Sequence, residues 1–405
     1  MNSWLLSLAL LVSVVQPAIA IEPTFVVSST ETALKVGRIV SVDADFAVVL
    51  AGDSGRVAGA DLVSIRRAEQ PLPARPTDEQ IVLANGDRVP GHLVGGDGLS
   101  VRIAAKLGEN VKPVLLGLPL TSIAVVWLVP PTGDAVTPSW RDHNKKQDAL
   151  LLRNGDVVRG TLEEIGMDGE SLRFKVIGDT AAKPYLRNVV SAVALDPSLA
   201  RVRLPKGAFA KLVLANGSRI SVKSVTVDAT TMSAVTLSGA KFTVPLAELI
   251  ALDIFQGKAV YLSDLKPKKS AIEAYNGVSW PWLADLSVKG NPLRITGKHG
   301  ESTHDKGLGV HSRTTLVYDL DGKYRRFESV VGLDTLTGKR GAVDIKVFVD
   351  GKEMTIDGLT GLTSANSQSI NIDVSKAKEL TLVVDYGSGG DLQDDANFVD
   401  ARLVE

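Results

Sequence analysis

The chain of 405 residues contains no cysteine. Disulfides, thiolate metal sites, a cysteine nucleophile and a lipid-modified N-terminal cysteine are therefore excluded together, and the fold must stand on packing alone. Charge of one sign is lacking too: 45 Lys and Arg face 46 Asp and Glu, for a net charge of -1. Such a surface gathers neither nucleic acid nor an anionic membrane. The sequence also shows no nucleophile elbow, phosphate-cradling loop or metal-binding helix. A non-catalytic protein is the expectation.

Long hydrophobic runs are scarce, and the two present fall short of the roughly 20 apolar residues that span a bilayer. The first lies in "MNSWLLSLALLVSVVQPAIA" (1–20), an apolar stretch closed by Pro17 and the small-x-small end Ala18, Ile19, Ala20. This is the layout of a secretory signal peptide cleaved after Ala20, with no Lys or Arg at its start. The chain is expected to be secreted or periplasmic, with no membrane span after signal cleavage. The second run, "VLLGLPLTSIAVVWLV" (114–129), is broken by Pro119, Thr121 and Ser122 and predicts two buried strands joined by a turn.

What is present is repetition. "IVLANGDRVPGHL" (81–93), "LLLRNGDVVRGTL" (150–162) and "LVLANGSRISVKS" (212–224) each join two alternating strands through Asn-Gly. Asn-Gly between alternating strands signals a hairpin in which both turn residues take positive φ. "GLPLTSIAVVWL" (117–128), "FTVPLAELIALDI" (242–254) and the looser "PYLRNVVSAVAL" (184–195) close the units, and "GRVAGADLVSIRR" (55–67) ends a degenerate first one. Four all-β units are predicted at 21–70, 78–131, 147–198 and 208–256. The pattern weakly resembles the Sm-like or SH3-like small barrel, which implies topology only. No basic and aromatic interleaving accompanies it, so nucleic acid is not an expected partner. The connections "RRAEQPLPARPTDEQ" (66–80) and "PPTGDAVTPSWRDHNKKQD" (130–148) read as exposed linkers, the second carrying Trp140 and His143.

From residue 259 to 405 the pattern changes to many short alternating strands, such as "TTLVYDL", "VDIKVFVDG" and "ELTLVVDYG". This predicts a β-sandwich, with Asp-Gly hairpin turns at Asp321 and Asp350. The motifs "YLSDL" (261–265), "NPLRI" (291–295), "KGLGVHS" (306–312), "YDLDGKYRRFESVVGLD" (318–334), "VFVDGK" (347–352), "VSKAKELTLVV" (374–384) and "DDANFVDARL" (394–403) occur in order. Together they resemble the NPCBM module, a carbohydrate-binding module found beside glycoside hydrolases and in exported bacterial proteins. The resemblance implies a galactose-binding-like jelly-roll sandwich whose loops meet a sugar. The family's Asp-His-Ala-Asp-Trp run reads Asp394, Asp395, Ala396, Asn397, Phe398 here, which places Phe398 at a core position.

Candidate site residues follow from side-chain chemistry. Trp280 and Trp282, flanking Pro281, are aromatic faces for a sugar ring, and His311, Arg313, Asp395 and Asn397 are its planar polar partners. His299, His304 and His311 follow no zinc template. Gly307 and Gly309 are read as letting the chain enter a strand tightly, with His311 as a buried hydrogen-bonding residue. Asp391 and Asp394 on the loop "GSGGDLQDDAN" (387–397) are an oxygen-rich pair suited to a structural calcium.

The expected whole is all-β: an array of small β-barrel-like repeats followed by a galactose-binding-like sandwich. The expected function is non-catalytic binding of a glycan or polysaccharide. The alternative is a structural factor of the bacterial cell envelope that contacts envelope proteins and has lost its sugar site.

Overall fold

A computed structural model of the chain describes residues 22–31, 33–52, 55–131, 146–228, 230–275 and 277–405. The signal-peptide segment (1–20), Trp140 and His143 lie outside the described residues. Strands joined by turns and short 3-10 segments build the described chain, with no α-helix among those residues. No helix there is long and apolar enough to cross a membrane.

Four five-stranded units follow one another. The first comprises β1 (Thr24–Ser29), β2 (Lys35–Val42), β3 (Val48–Leu50), β4 (Arg56–Val57) and β5 (Leu62–Arg67). The second comprises β6 (Gln80–Leu83), β7 (Arg88–Gly96), β8 (Ser100–Ala105), β9 (Val114–Pro119) and β10 (Ile123–Trp127). The third has β11 (Asp148–Leu152), β12 (Val157–Ile165), β13 (Ser171–Val176), β14 (Lys183–Leu186) and β15 (Val190–Ala194). The fourth has β16 (Phe209–Leu214), β17 (Arg219–Asp228), β18 (Thr231–Thr236), β19 (Lys241–Pro245) and β20 (Leu249–Phe255). In every unit the fifth strand returns to pair antiparallel with the first, closing a small barrel.

The step into each fifth strand is one 3-10 turn: Gly59–Asp61, Leu120–Ser122, Arg187–Val189 and Leu246–Glu248. Pro119 and Pro245 immediately precede two of these turns, where a proline's fixed φ presets the entry. The register between second and third strands also slips once in every unit, at Ile39/Ser41, Leu93/Gly95, Leu162/Glu164 and Val222/Ser224. A bulge at that place bends the strand and raises its twist, which lets one strand serve both sides of a tight barrel.

The Asn-Gly turns differ from expectation. Gly86, Gly155 and Gly217 take positive φ, but Asn85, Asn154 and Asn216 do not. In the second unit Gly86 N–H donates to Leu83 O, and Leu83 N–H to Asp87 O. This is a type I turn corrected by a left-handed glycine, the usual geometry of a longer hairpin loop. Each Asn instead accepts, through its side-chain oxygen, the N–H two residues on: Asp87, Asp156 and Ser218. That local bond holds Asn in the right-handed region and leaves positive φ to Gly alone.

The barrels join through their fifth strands: β10 pairs with β15, and β20 with β5, both antiparallel. A continuous core of Val, Leu, Ile and Phe runs through all four.

The C-terminal unit opens with β21 (Ala259–Tyr261), β22 (Lys269–Ile272), β23 (Leu283–Ala284), β24 (Leu293–Gly297) and β25 (Gly300–His304). It continues with β26 (Gly307–His311), β27 (Thr314–Asp319), β28 (Arg326–Leu333), β29 (Ala342–Val349) and β30 (Lys352–Glu353). The last four are β31 (Leu362–Thr363), β32 (Ser367–Asp373), β33 (Glu379–Tyr386) and β34 (Asp395–Val404). One sheet runs β23-β26-β34-β28-β32 and the other β22-β27-β33-β29-β30. Between them lies a core that includes Leu308, Val310, Leu316, Phe327, Leu382 and Phe398. Phe398 is fully buried, in the core position expected of it. The β24–β25 hairpin covers the outer face of the first sheet through Leu293 and Ile295 on Val399 and Val330.

Asp350 and Gly351 both take positive φ and join β29 to β30, the expected two-residue hairpin. Asp321 and Gly322 also take positive φ, yet β27 and β28 belong to different sheets, so this turn crosses the sandwich instead of making a hairpin. The first linker differs as well. Residues 72–75 form a strap: Leu72 is buried against Val213 and Ile250, and its carbonyl accepts from Thr303 N–H. Arg219 donates to Pro73 O and Ala74 O, while Arg75 pairs with Asp305 at 3.0 Å. Proline-rich backbone leaves carbonyls unpaired, and here the buried Arg219 uses two of them.

Barrels and sandwich share a buried ionic junction. Arg66 of β5 lies 2.7 Å from Asp253 and 3.4 Å from Asp400 of β34, and His304 Nδ1 reaches Asp400 at 3.1 Å. Arg402 joins Glu328 at 2.9 Å and Ser64 Oγ at 3.2 Å. Burial would raise the Asp400 carboxyl, but the His304 and Arg66 charges pull it well below the usual carboxylate range. Val63, Ala259 and Val404 make the apolar seam beside it.

Candidate functional site

Alternation along β34 sorts its residues between two faces. Ala396 and Phe398 enter the core, so Asp395 and Asn397 stand on the outer face of the sheet. In the β26–β34 ladder His311 is the direct partner of Asp395, and Gly309 that of Asn397. A Cβ on Gly309 would stand 2.3 Å from Leu286 O, so only glycine lets residues 286 and 287 lie on β26. This close approach, more than the entry into a strand, explains the second glycine of "KGLGVHS". It brings the loop ahead of β24 over the face that holds His311.

The side chains there form a connected group. His311 Nδ1 lies 2.9 Å from Asp395 Oδ1, and the two residues are 4% and 2% exposed. The Trp280 ring stands 6.0 Å from the imidazole, centroid to centroid. Lys289 Nζ lies 3.0 Å from the Trp280 ring centroid and 3.9 Å from Asp395 Oδ1. Thr337 Oγ1, close by, donates to Asp334 Oδ1 at 3.3 Å. Burial would push the Asp395 carboxyl up, but the His311 hydrogen bond, the Thr337 hydroxyl and the Lys289 charge hold it below the usual range. Asp395 is therefore an anion at neutral pH, and it accepts the Nδ1 proton of His311. The other ring nitrogen, Nε2, is a buried atom with no hydrogen-bond partner among the described residues, and in the tautomer that carries its proton on Nδ1 it is an acceptor.

Asn397, two residues along the same face, donates through Nδ2 to Arg294 O and Asp334 Oδ2, each at 3.0 Å. Its Oδ1 is a second buried acceptor with no partner among the described residues. Of the sequence candidates, Trp280, His311 and Asp395 are thus in direct association and Asn397 follows along the strand. Trp282 packs instead against the sandwich core. Arg313 lies in the bend just before β27, toward the second sheet, paired with Glu273 at 3.3 Å and Asp385 at 3.4 Å.

Asp394 accepts from Ser312 Oγ at 2.7 Å and Ala342 N–H at 3.1 Å, and burial pushes its carboxyl up. No group of three or more His, Asp or Glu side chains is gathered as a metal site among the described residues. The oxygens of Asp394 are committed to protein donors, a poor fit to a calcium ligand. His304 is turned toward Ser302 and Asp400 at the barrel junction, apart from His311. Lys289 and Thr337 were not singled out by sequence; one lies in a short Lys-Gly turn and the other in a surface loop, and neither setting carries a signal.

Residues 258–404 match the NPCBM/NEW2 domain family. The C-terminal unit is an NPCBM domain. The match covers the sandwich and leaves the barrels outside it. Similar solved structures include a CBM51 module from Clostridium perfringens GH95 in complex with methyl-galactose. Identity there is 27%, with 36% of this chain and 99% of that chain covered and a TM-score of 0.33. The CBM51-2 and INT domains of Clostridium perfringens ZmpB are similar at 27% identity, covering 43% of this chain and 36% of that one, with a TM-score of 0.32. Tandem CBM51 modules of a family 98 glycoside hydrolase from Streptococcus pneumoniae align at 14% identity, covering 69% and 92%, with a TM-score of 0.33. No curated protein matches the chain.

Proposed function

We propose that this chain is an exported, non-catalytic protein that binds a glycan on the outer face of its NPCBM domain. The observation that carries the reading is the buried, unpartnered Nε2 of His311 beside the Trp280 ring. A buried acceptor without a partner costs about 1–3 kcal/mol, which a ligand hydroxyl recovers. The indole offers an apolar face for the C–H side of a pyranose, and Asp395 and Asn397 supply further acceptors for its hydroxyls. A few fixed hydrogen bonds on one aromatic platform imply weak affinity per site. The NPCBM match supports this reading. Export rests on the leader-like segment 1–20, and the barrels serve as a scaffold that displays the domain.

The test is a glycan array probed with the full-length chain, with and without calcium, next to Trp280→Ala and His311→Ala. Sugar binding that disappears in both folded variants carries the proposal. Folded wild-type protein that binds no glycan in either condition sinks it.

A second reading, an envelope scaffold, has one observation in its favour. Leu34, Val36 and Val40 are 59%, 52% and 48% exposed around β2 of the first barrel, at sites where alternation turns side chains outward. An outward apolar row of this kind fits a protein partner. An empty array, together with loss of envelope association on Leu34→Ser and Val40→Ser substitution, would favour it.

A further inference from the structure

We infer that the Trp280 site selects sugars bearing a free, protonated amine, and that Lys289 is its built-in competitor. This deepens the glycan reading above and rests on it.

The site displays how it holds an ammonium group. Lys289 Nζ sits over the indole face, 3.0 Å from the ring centroid, and 3.9 Å from the Asp395 carboxylate. An aromatic face flanked by a carboxylate is the general mode of ammonium recognition, because the ring quadrupole and the anion attract the same charge. Any pyranose that stacks on this indole must first displace Nζ. A neutral sugar offers nothing to replace that cation, so its binding is opposed by the full loss of both contacts. A sugar carrying its own ammonium restores them.

Hydrogen-bond polarity points the same way. His311 Nε2 and Asn397 Oδ1 are buried acceptors without partners among the described residues. Asp395 Oδ1 already accepts from His311. The unmet capacity is thus for donors, and an ammonium carries three donors and no acceptor. Charge agrees as well: once Nζ is displaced, an anionic sugar on the indole would face the Asp395 carboxylate and be repelled.

The test titrates full-length protein at pH 6 with a β-1,4-linked glucosamine tetramer, its N-acetylated counterpart and a neutral galactose oligomer. Wild type and Lys289→Gln are compared, since Lys289 is partly exposed and its replacement leaves the core intact. The amine tetramer is expected to bind about tenfold tighter than the N-acetylated one, with the preference shrinking in high salt. Lys289→Gln is expected to tighten amine binding several-fold by removing the competitor. Equal affinity for amine and N-acetylated sugars, or weaker amine binding by Lys289→Gln, overturns this inference while leaving the glycan reading in place. No binding of any of the three sugars by folded protein overturns both.

Discussion

His311 and Asp395 face each other directly across the β26–β34 ladder, with Nδ1 and Oδ1 2.9 Å apart. Both are buried, so the pair orients the imidazole and leaves its other nitrogen without a partner among the described residues. Both ends of the pair are expected to matter. His311→Ala removes the ring and leaves a buried carboxylate short of a donor, so it should lower sugar affinity at least about tenfold and cost about 1–3 kcal/mol of stability. Asp395→Ala strips a buried imidazole of its partner and is expected to cost a similar amount of stability as well as binding. Calorimetric titration and thermal melts on the same samples check both; unchanged sugar binding by either folded variant would place the site elsewhere.

Gly309 is expected to behave as a positioning residue. Its added Cβ would meet Leu286 O at 2.3 Å, so Gly309→Ala must push away the loop that carries Lys289. Overpacking of this kind costs about 1–3 kcal/mol. Sugar binding should weaken while the circular dichroism of the sandwich is kept; unchanged binding would show that the loop has no part in the site.

The three turn glycines give a graded series. Gly86, Gly155 and Gly217 all take positive φ, where an alanine costs about 1–2 kcal/mol. Nothing lies within 4 Å of a Cβ at Gly86 or Gly155, but at Gly217 it would meet Ala74 O at 2.1 Å. Gly217→Ala should therefore shift the denaturant midpoint clearly more than the other two, because it also disturbs the strap. Equal shifts would mean that the strap yields.

Acid should loosen the barrel–sandwich junction. Burial works to raise Asp400 and Asp305, but His304 and Arg66 around one, and Arg219 and Arg75 around the other, depress both well below the ordinary aspartate value. Groups with depressed folded pKa values contribute stability that is complete above the unfolded value, about 3.9, and is lost as pH falls through the folded one. Melting temperature is expected to drop from about pH 4 downward, with less change in Asp400→Asn and Asp305→Asn. An acid limb that stays as steep in both variants would place the responsible carboxylates elsewhere.

Local chemistry accounts for what was legible in the amino-acid order. Asn-Gly at 85, 154 and 216, the apolar-Pro steps before Leu120 and Leu246, and strand alternation mark the barrel repeats, because turns and periodicity act over a few neighbours. The ordered motifs between 261 and 403 mark the sandwich, and Phe398 was readable as core. Even the turns were legible only in part, since the Asn side-chain bonds decide which residue takes positive φ.

Trp280 and Trp282 are equivalent by sequence, yet one flanks His311 and the other packs on the core. Arg313 sits two residues from His311, but it leads into β27 of the opposite sheet and pairs with Glu273 and Asp385 there. Lys289 meets Asp395 across more than a hundred residues, and Arg66 meets Asp400 across more than three hundred. Sequence alone determined the elements, their repeats and the class of the C-terminal domain. Only tertiary structure decided which polar groups are buried together, because that depends on sheet register and domain docking, which no local pattern encodes.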